Sequence, residues 1–122
     1  MDITQLIPAG RQVIERYGNG GFRVTSVVWT GNILITPTTT LSWSATDAAA
    51  FTMESLAALL GSGAEVLLIG GGRSTPFVPP ALRAELKAAG LVAEPMDTGA
   101  ACRTYNILLS EGRAVAAALI AV

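Results

Sequence analysis

Residues 65–72 read Glu-Val-Leu-Leu-Ile-Gly-Gly-Gly. The run 65–69 is short and continuously apolar after its first residue, the pattern of a strand buried on both faces. The glycine triplet then marks a turn. Downstream, Pro79-Pro80 opens a helix, because proline is preorganised for the first turn. Residues 81–89 carry Leu82 and Leu86 one turn apart, and Gly90 supplies the stop. Residues 91–96 form another short strand. Asp97 or Thr98 caps a second helix that runs to about Ser110. Gly112 ends that helix, and residues 113–121 form the last strand. The order is β-α-β-α-β with short connections, and right-handed crossovers make such strands parallel.

Working back toward the N-terminus, the signals change. Residues 48–60 have helical spacing, with Phe51, Ser55 and Leu59 aligned and Thr46 or Asp47 as the cap. Residues 38–43 fit a short strand or a loop. Residues 33–36 read as a strand ended by Pro37. Residues 22–29 (FRVTSVVW) read as one strand with Phe22, Val24, Ser26 and Val28 on one face. Thr30-Gly31-Asn32 then joins 22–29 to 33–36 as an antiparallel hairpin. Gly18-Asn19-Gly20-Gly21 is a turn, and residues 1–20 form an extended arm packed on the body. The expected architecture is one α/β domain over 1–122 with a mixed sheet.

Hydrophobic residues make up 51% of the 122-residue chain and charged residues 14%, which excludes intrinsic disorder. The net charge of −1 and the lack of a basic run argue against nucleic-acid binding. The chain has no His, which removes Ser-His-Asp triads, Cys-His dyads and His-containing metal sites. With one Cys no intramolecular disulfide forms, and a reducing compartment fits. The start lacks a basic stretch followed by an apolar one, so no leader is expected. The longest apolar run, 114–122, is shorter than the roughly 20 residues of a spanning helix. A cytoplasmic protein without a transmembrane segment is the expectation.

Two places carry the functional interest. Gly70-Gly71-Gly72-Arg73-Ser74 follows a buried strand, where open α/β sheets bind ligands. Glycine amides approach anions closely, and Arg73 offers a fork of donors. The dinucleotide fingerprint fails because Thr75 stands where its third glycine belongs, and no Gly-Lys-Ser/Thr is present. The competing reading is a tight turn in which Arg73 bonds nearby carbonyls. The second place is the helix after Thr98. Cys102 lies near its start beside Arg103, which favours a thiolate. No His serves it as a base, and Leu108 replaces the Arg of the phosphatase signature. Cys102, Tyr105 and Leu109 also share one face, which fits a buried core thiol. Asn106 lies one turn after Cys102 and either approaches the same edge or satisfies backbone groups of neighbouring loops. Trp29 and Trp43 fit either core positions or partner contacts.

The runs Leu68-Ile69-Gly70-Gly71-Gly72-Arg73, Met96-Asp97-Thr98, Ala100-Ala101-Cys102-Arg103-Thr104-Tyr105-Asn106 and Glu111-Gly112-Arg113 together resemble the Mth-domain family over about residues 20–122. That family contains small bacterial and archaeal proteins, an animal adipogenesis-associated protein and a mitochondrial complex I assembly factor. The resemblance implies a three-layer α/β fold around a mixed sheet and a role through protein partners, with no enzymatic activity established for the family. The expectation is therefore a non-enzymatic binding or assembly protein without a cofactor. Its partners would be respiratory-chain assembly components, and an edge strand of the early hairpin would serve a homodimer. The alternative is an anion-binding domain or enzyme using Gly70–Arg73 and Cys102. The candidate site residues are Gly70, Gly71, Gly72, Arg73, Ser74, Thr98, Cys102, Arg103 and Asn106.

Overall fold

The computed structural model describes residues 10–44 and 51–122. Strands β1 (Ile14–Gly18), β2 (Gly21–Val24) and β3 (Val27–Thr30) form an antiparallel three-stranded sheet. Strands β4 (Ile33–Ile35), β5 (Thr40–Ser42), β6 (Val66–Gly70), β7 (Val92–Met96) and β8 (Val115–Leu119) form a second sheet in the order β5-β4-β8-β6-β7. Helix α1 (Pro80–Ala88) links β6 to β7, and α2 (Thr98–Ser110) links β7 to β8. β6 pairs parallel with both β7 and β8, whereas β4 runs antiparallel to β8 and β5. The mixed sheet and the C-terminal β-α-β-α-β unit are as the sequence predicts.

The five-stranded sheet is buried on both faces, so side-chain alternation sorts its residues into two cores. Leu67, Ile69, Ala116 and Ala118 face Leu82 and Leu86 of α1, together with Trp43, Phe51, Leu56 and Leu59. Leu68, Val115, Ala117 and Leu119 face Ala101, Cys102, Tyr105 and Leu109 of α2. Ile14, Phe22 and Val24 of the three-stranded sheet close that second core. The central strand β8 reads Val-Ala-Ala-Ala-Leu and is wholly buried. Alanine there fills the middle of both cores with little volume, so helices pack close on either side.

Both helices start and stop as their sequences indicate. Pro80 sits at the start of α1. At its end the N–H of Gly90 bonds Lys87 O and that of Leu91 bonds Leu86 O, a Schellman closure with Gly90 at φ +92°. Asp97 caps α2 by accepting the Ala100 N–H at 2.8 Å. Gly112 and Arg113 close α2 onto Leu109 and Leu108 in the same way.

Three expectations fail. Residues 22–29 are two strands, because Thr25 and Ser26 adopt φ of +45° and +70° and reverse the chain between β2 and β3. The Glu15 carboxylate holds this tight turn by accepting the Ser26 N–H at 2.7 Å. The hairpin joining 22–29 to 33–36 does not form. Thr30-Gly31-Asn32 instead carries the chain from one sheet to the other, and the hairpins are β1–β2, β2–β3 and β4–β5. The helix over 48–60 is absent from its described part, 51–60, which forms turns and a 3-10 turn at Ala57–Leu59. Thr52 and Ser55 bond each other's backbone N–H through their hydroxyls at 3.1 and 3.0 Å, and such local bonds compete with helical ones. Its predicted caps, Thr46 and Asp47, lie outside the described residues. In the N-terminal arm, residues 1–9 lie outside them too, and the rest contributes strand β1.

Trp43 is a core residue. It is 7% exposed, donates Nε1–H to Ser55 O at 3.0 Å and packs on Phe51 with ring centroids 5.3 Å apart. Trp29 is half-buried on β3, an edge strand of the smaller sheet, beside the exposed Val28. Among the described residues no helix is long and apolar enough to cross a membrane.

Candidate functional site

The chain leaves β6 toward β7 on one side through α1, and β8 returns on the other side through α2. The carboxyl end of β6 is therefore the point where strand order reverses, the crevice in which open α/β sheets bind ligands. Here that crevice is filled from within. Gly70 ends β6 so close to its neighbours that a Cβ would meet Leu119 Cδ2 at 2.9 Å, Thr98 Oγ1 at 3.0 Å and Thr98 Cα at 3.1 Å. The Gly71 N–H donates to Met96 O at 3.0 Å. The Gly72 N–H donates to Thr98 Oγ1 at 2.9 Å, and Gly72 O accepts the Thr98 N–H at 2.8 Å. The Thr98 hydroxyl in turn donates to Ile120 O at 2.7 Å, while the Ile120 N–H reaches Gly70 O at 2.9 Å.

One fully buried threonine thus ties the ends of β6, β7 and β8 to the start of α2. It uses its single hydroxyl as both donor and acceptor. Two amides of the glycine loop are committed to these internal bonds. Arg73, Ser74 and Thr75 lie beyond it on the exposed part of the loop, with Phe77 at 78% exposure nearby in sequence. Sequence reasoning missed Phe77; its isolation between Pro76 and Val78, both buried, was the available signal.

The remaining candidate residues lie along α2 and face β1. Tyr105 is buried and donates its hydroxyl to Gln12 O at 2.7 Å. Asn106 brackets Ile14, donating Nδ2–H to its carbonyl at 2.7 Å and accepting its N–H on Oδ1 at 3.2 Å. Arg103 donates from a terminal guanidinium nitrogen to the Tyr17 hydroxyl at 2.9 Å. Gly99 makes room for this contact, since a Cβ there would lie 3.0 Å from the Tyr17 oxygen. A β-bulge between Ile14 and Arg16 shifts the side-chain phase of β1. Both Ile14 and Tyr17 thereby contact α2, and Arg16 falls opposite Arg23.

Between β1 and α2 lies an open cleft of about 300 Å³, lined by Arg16, Tyr17, Cys102, Arg103 and Asn106 with Ile14 and Glu15. Three predicted residues meet there, Cys102, Arg103 and Asn106. Arg73 and Ser74 are not among its lining. Arg16 and Tyr17 were missed because they belong to the arm, where no local pattern marks them as partners of α2. Cys102 is 2% exposed, and burial pushes its thiol up to about 12 against the smaller opposing pull of Arg103. At neutral pH it is a protonated core thiol. Burial also raises the Tyr105 hydroxyl, so its donor proton is retained. No group of three or more His, Cys, Asp or Glu able to hold a metal gathers among the described residues.

A mixed α/β fold of two sheets, with its switch crevice stapled by Thr98 and an arginine-lined cleft beside α2, defines the class. The protein belongs to the family described as "Protein of unknown function (DUF498/DUF598)", which matches residues 14–120. It is 43% identical to an uncharacterized protein of Rhodobacter capsulatus over 92% of this chain and 86% of that protein. It is 34% identical to the zebrafish protein named NADH dehydrogenase [ubiquinone] 1 alpha subcomplex assembly factor 3, over 98% of this chain and 70% of the relative. Against the frog protein of that name it spans 60% of the length. Among solved structures, one described as an outer membrane protein from Bartonella henselae matches with a TM-score of 0.85 and 41% identity over 95% of this chain and 98% of that one. A Bordetella pertussis structure described as a Mth938-like domain matches with a TM-score of 0.80 and 33% identity, over 93% of this chain and 88% of that one. The resemblance to the Mth-domain family is thereby established.

Proposed function

We propose that this protein is a non-enzymatic binding protein that acts in assembly of a respiratory complex, through a surface that includes Arg73 and the exposed side of residues 98–106. The observation that carries the reading is the filled crevice. The position where this kind of sheet would hold a substrate is occupied by Thr98, which takes up the Gly72 amide, and the one cysteine is a protonated core thiol. What remains accessible at that end is a loop with an exposed arginine and an exposed phenylalanine, residue types enriched at protein interfaces. The assembly half of the reading rests on the names of the animal relatives. A cytoplasmic setting belongs to it, and the free Cys102 needs no oxidising compartment.

The test is affinity capture from the host with wild type and Arg73→Ala, compared by quantitative mass spectrometry. Enrichment of NADH dehydrogenase subunits or assembly proteins, lost in a folded Arg73→Ala variant, is expected. Equal recovery by both baits would remove Arg73 from the surface. Absence of any such protein with either bait would remove the assembly reading.

A further inference from the structure

The cleft between β1 and α2 has an unusual balance of polar groups. The Asn106 amide is held by the backbone of Ile14 through one donor and one acceptor bond. The Glu15 carboxylate, the one acidic group lining the cleft, takes Arg23 Nε at 3.2 Å and the Ser26 N–H at 2.7 Å, both on Oε1, and its charge is paired with the Arg23 guanidinium. Of the groups left over, donors outnumber acceptors. Arg16 is exposed and has no hydrogen-bond or ion-pair partner among the described residues. Arg103 has further N–H groups beyond the one bonded to Tyr17. The Tyr17 hydroxyl accepts from Arg103, and its own proton has no acceptor among the described residues. The floor between them includes the apolar Ile14 and the Cys102 thiol, which brings no competing negative charge.

A cleft that offers donors and two guanidinium groups over an apolar floor selects an anionic acceptor, and planar guanidinium forks match carboxylates. We propose that this cleft is a receptor for a carboxylate carried by a protein segment, held by Arg16, Arg103 and the Tyr17 hydroxyl. That the carboxylate sits on a protein rests on the assembly reading above. An acidic side group and the carboxyl terminus of a polypeptide share this chemistry. The volume of about 300 Å³ takes one acidic residue or the last residue of a polypeptide, with the rest of the segment outside. Binding falls as ionic strength rises, since the cleft is open and its charges are screened.

The test is a titration of the isotope-labelled protein followed by backbone amide NMR, with four probes. One is a short N-acetylated, C-amidated peptide carrying glutamates, and the second is its glutamine counterpart. The third is an alanine-rich peptide whose only carboxylate is at its carboxyl terminus, and the fourth is inorganic phosphate. Saturable shifts at Tyr17, Arg103 and their neighbours with the first or third probe, and none with the glutamine peptide, are expected. The two carboxylate arms separate an acidic residue from a terminal carboxylate. Arg16→Gln and Arg103→Gln should each weaken binding at least about tenfold, in line with the loss of a charged hydrogen bond. Arg16 is exposed and unbonded among the described residues, so its variant keeps the test valid should Arg103→Gln fold poorly. Three results overturn the proposal: no saturable shift with either carboxylate peptide, equal binding of the glutamine peptide, or phosphate saturating these amides while both carboxylate peptides leave them unmoved. A flat titration beside an intact Arg73-dependent capture would remove this receptor and leave the assembly reading standing. Saturation without any captured partner would do the reverse.

Discussion

Asn106 grips Ile14 at both ends of one residue, with Nδ2 2.7 Å from the carbonyl oxygen and Oδ1 3.2 Å from the amide nitrogen. The side-chain amide thus stands in for a neighbouring strand, at the point where the β-bulge interrupts regular pairing of β1. Ninety-two residues of sequence separate the two partners. The contact joins the three-stranded sheet to α2 and sets one wall of the cleft.

Replacing Asn106 by Ala leaves a part-buried N–H and C=O without partners. At about 1–2 kcal/mol for each of these two part-buried groups, the expected loss is roughly 2–4 kcal/mol. Asn106→Asp keeps the acceptor, removes the donor and places a negative charge beside the Ile14 carbonyl, so it should also destabilise. Urea unfolding of the two variants measures both effects, and unchanged midpoints would contradict the clamp.

Thr98 offers a sharper substitution, because Thr98→Val preserves its shape. The valine cannot accept the Gly72 N–H or donate to Ile120 O. The expected loss is again about 2–4 kcal/mol, whereas Thr98→Ser keeps both bonds and should lose only about 1 kcal/mol for the buried methyl. Equal losses in the two variants would show that packing, not the hydroxyl, holds the loop.

Gly70→Ala should destabilise by about 1–3 kcal/mol, the range for overpacking a core. The new methyl meets Thr98 Cα at 3.1 Å, a backbone atom unable to swing aside. Thermal unfolding checks it, and an unchanged midpoint would mean that β6 and α2 separate more readily than their packing indicates.

The β6-α1-β7-α2-β8 half was legible in the sequence because each element carries its own punctuation. The apolar run before Gly70, Pro80 at a helix start, Asp97 at a cap and Gly90 and Gly112 at helix ends are local signals with local causes. The first half was not, for equally physical reasons. Thr25 and Ser26 take left-handed φ values that non-glycine residues seldom adopt, so nothing in their identity marks a turn. Phe51, Leu56 and Leu59 are buried against the sheet as an amphipathic helix would bury them, yet from turns held by Thr52 and Ser55. Of the candidate site, the pairing of the glycine loop with the Thr98 segment was within reach of topology. The contribution of Arg16 and Tyr17 depends on the bulge in β1, which the sequence does not announce.

Cys102 links burial to pH. Its folded value of about 12 lies above the ordinary 9.0, so the folded state holds the thiol proton more tightly than the unfolded chain. That contribution to stability is fully present below pH 9 and is lost as pH rises through about 12. Tyr105, also raised, adds to the loss over the alkaline end of the same range. Between about pH 8 and about pH 10.5, wild type should therefore lose more stability than Cys102→Ala. Iodoacetamide should label Cys102 slowly in the native protein at about pH 8 and rapidly in urea. Fast native labelling would contradict the burial.

Whether the molecule holds a partner during assembly, as proposed, is decided in the host cell. Assembled NADH dehydrogenase would be quantified on native gels in wild type, in a strain lacking this protein, and in that strain carrying wild type or Arg73→Ala. On an assembly role, the deletion has less assembled complex, wild type restores it, and a stably expressed Arg73→Ala protein does not. An undiminished amount of assembled complex in the deletion strain would contradict it.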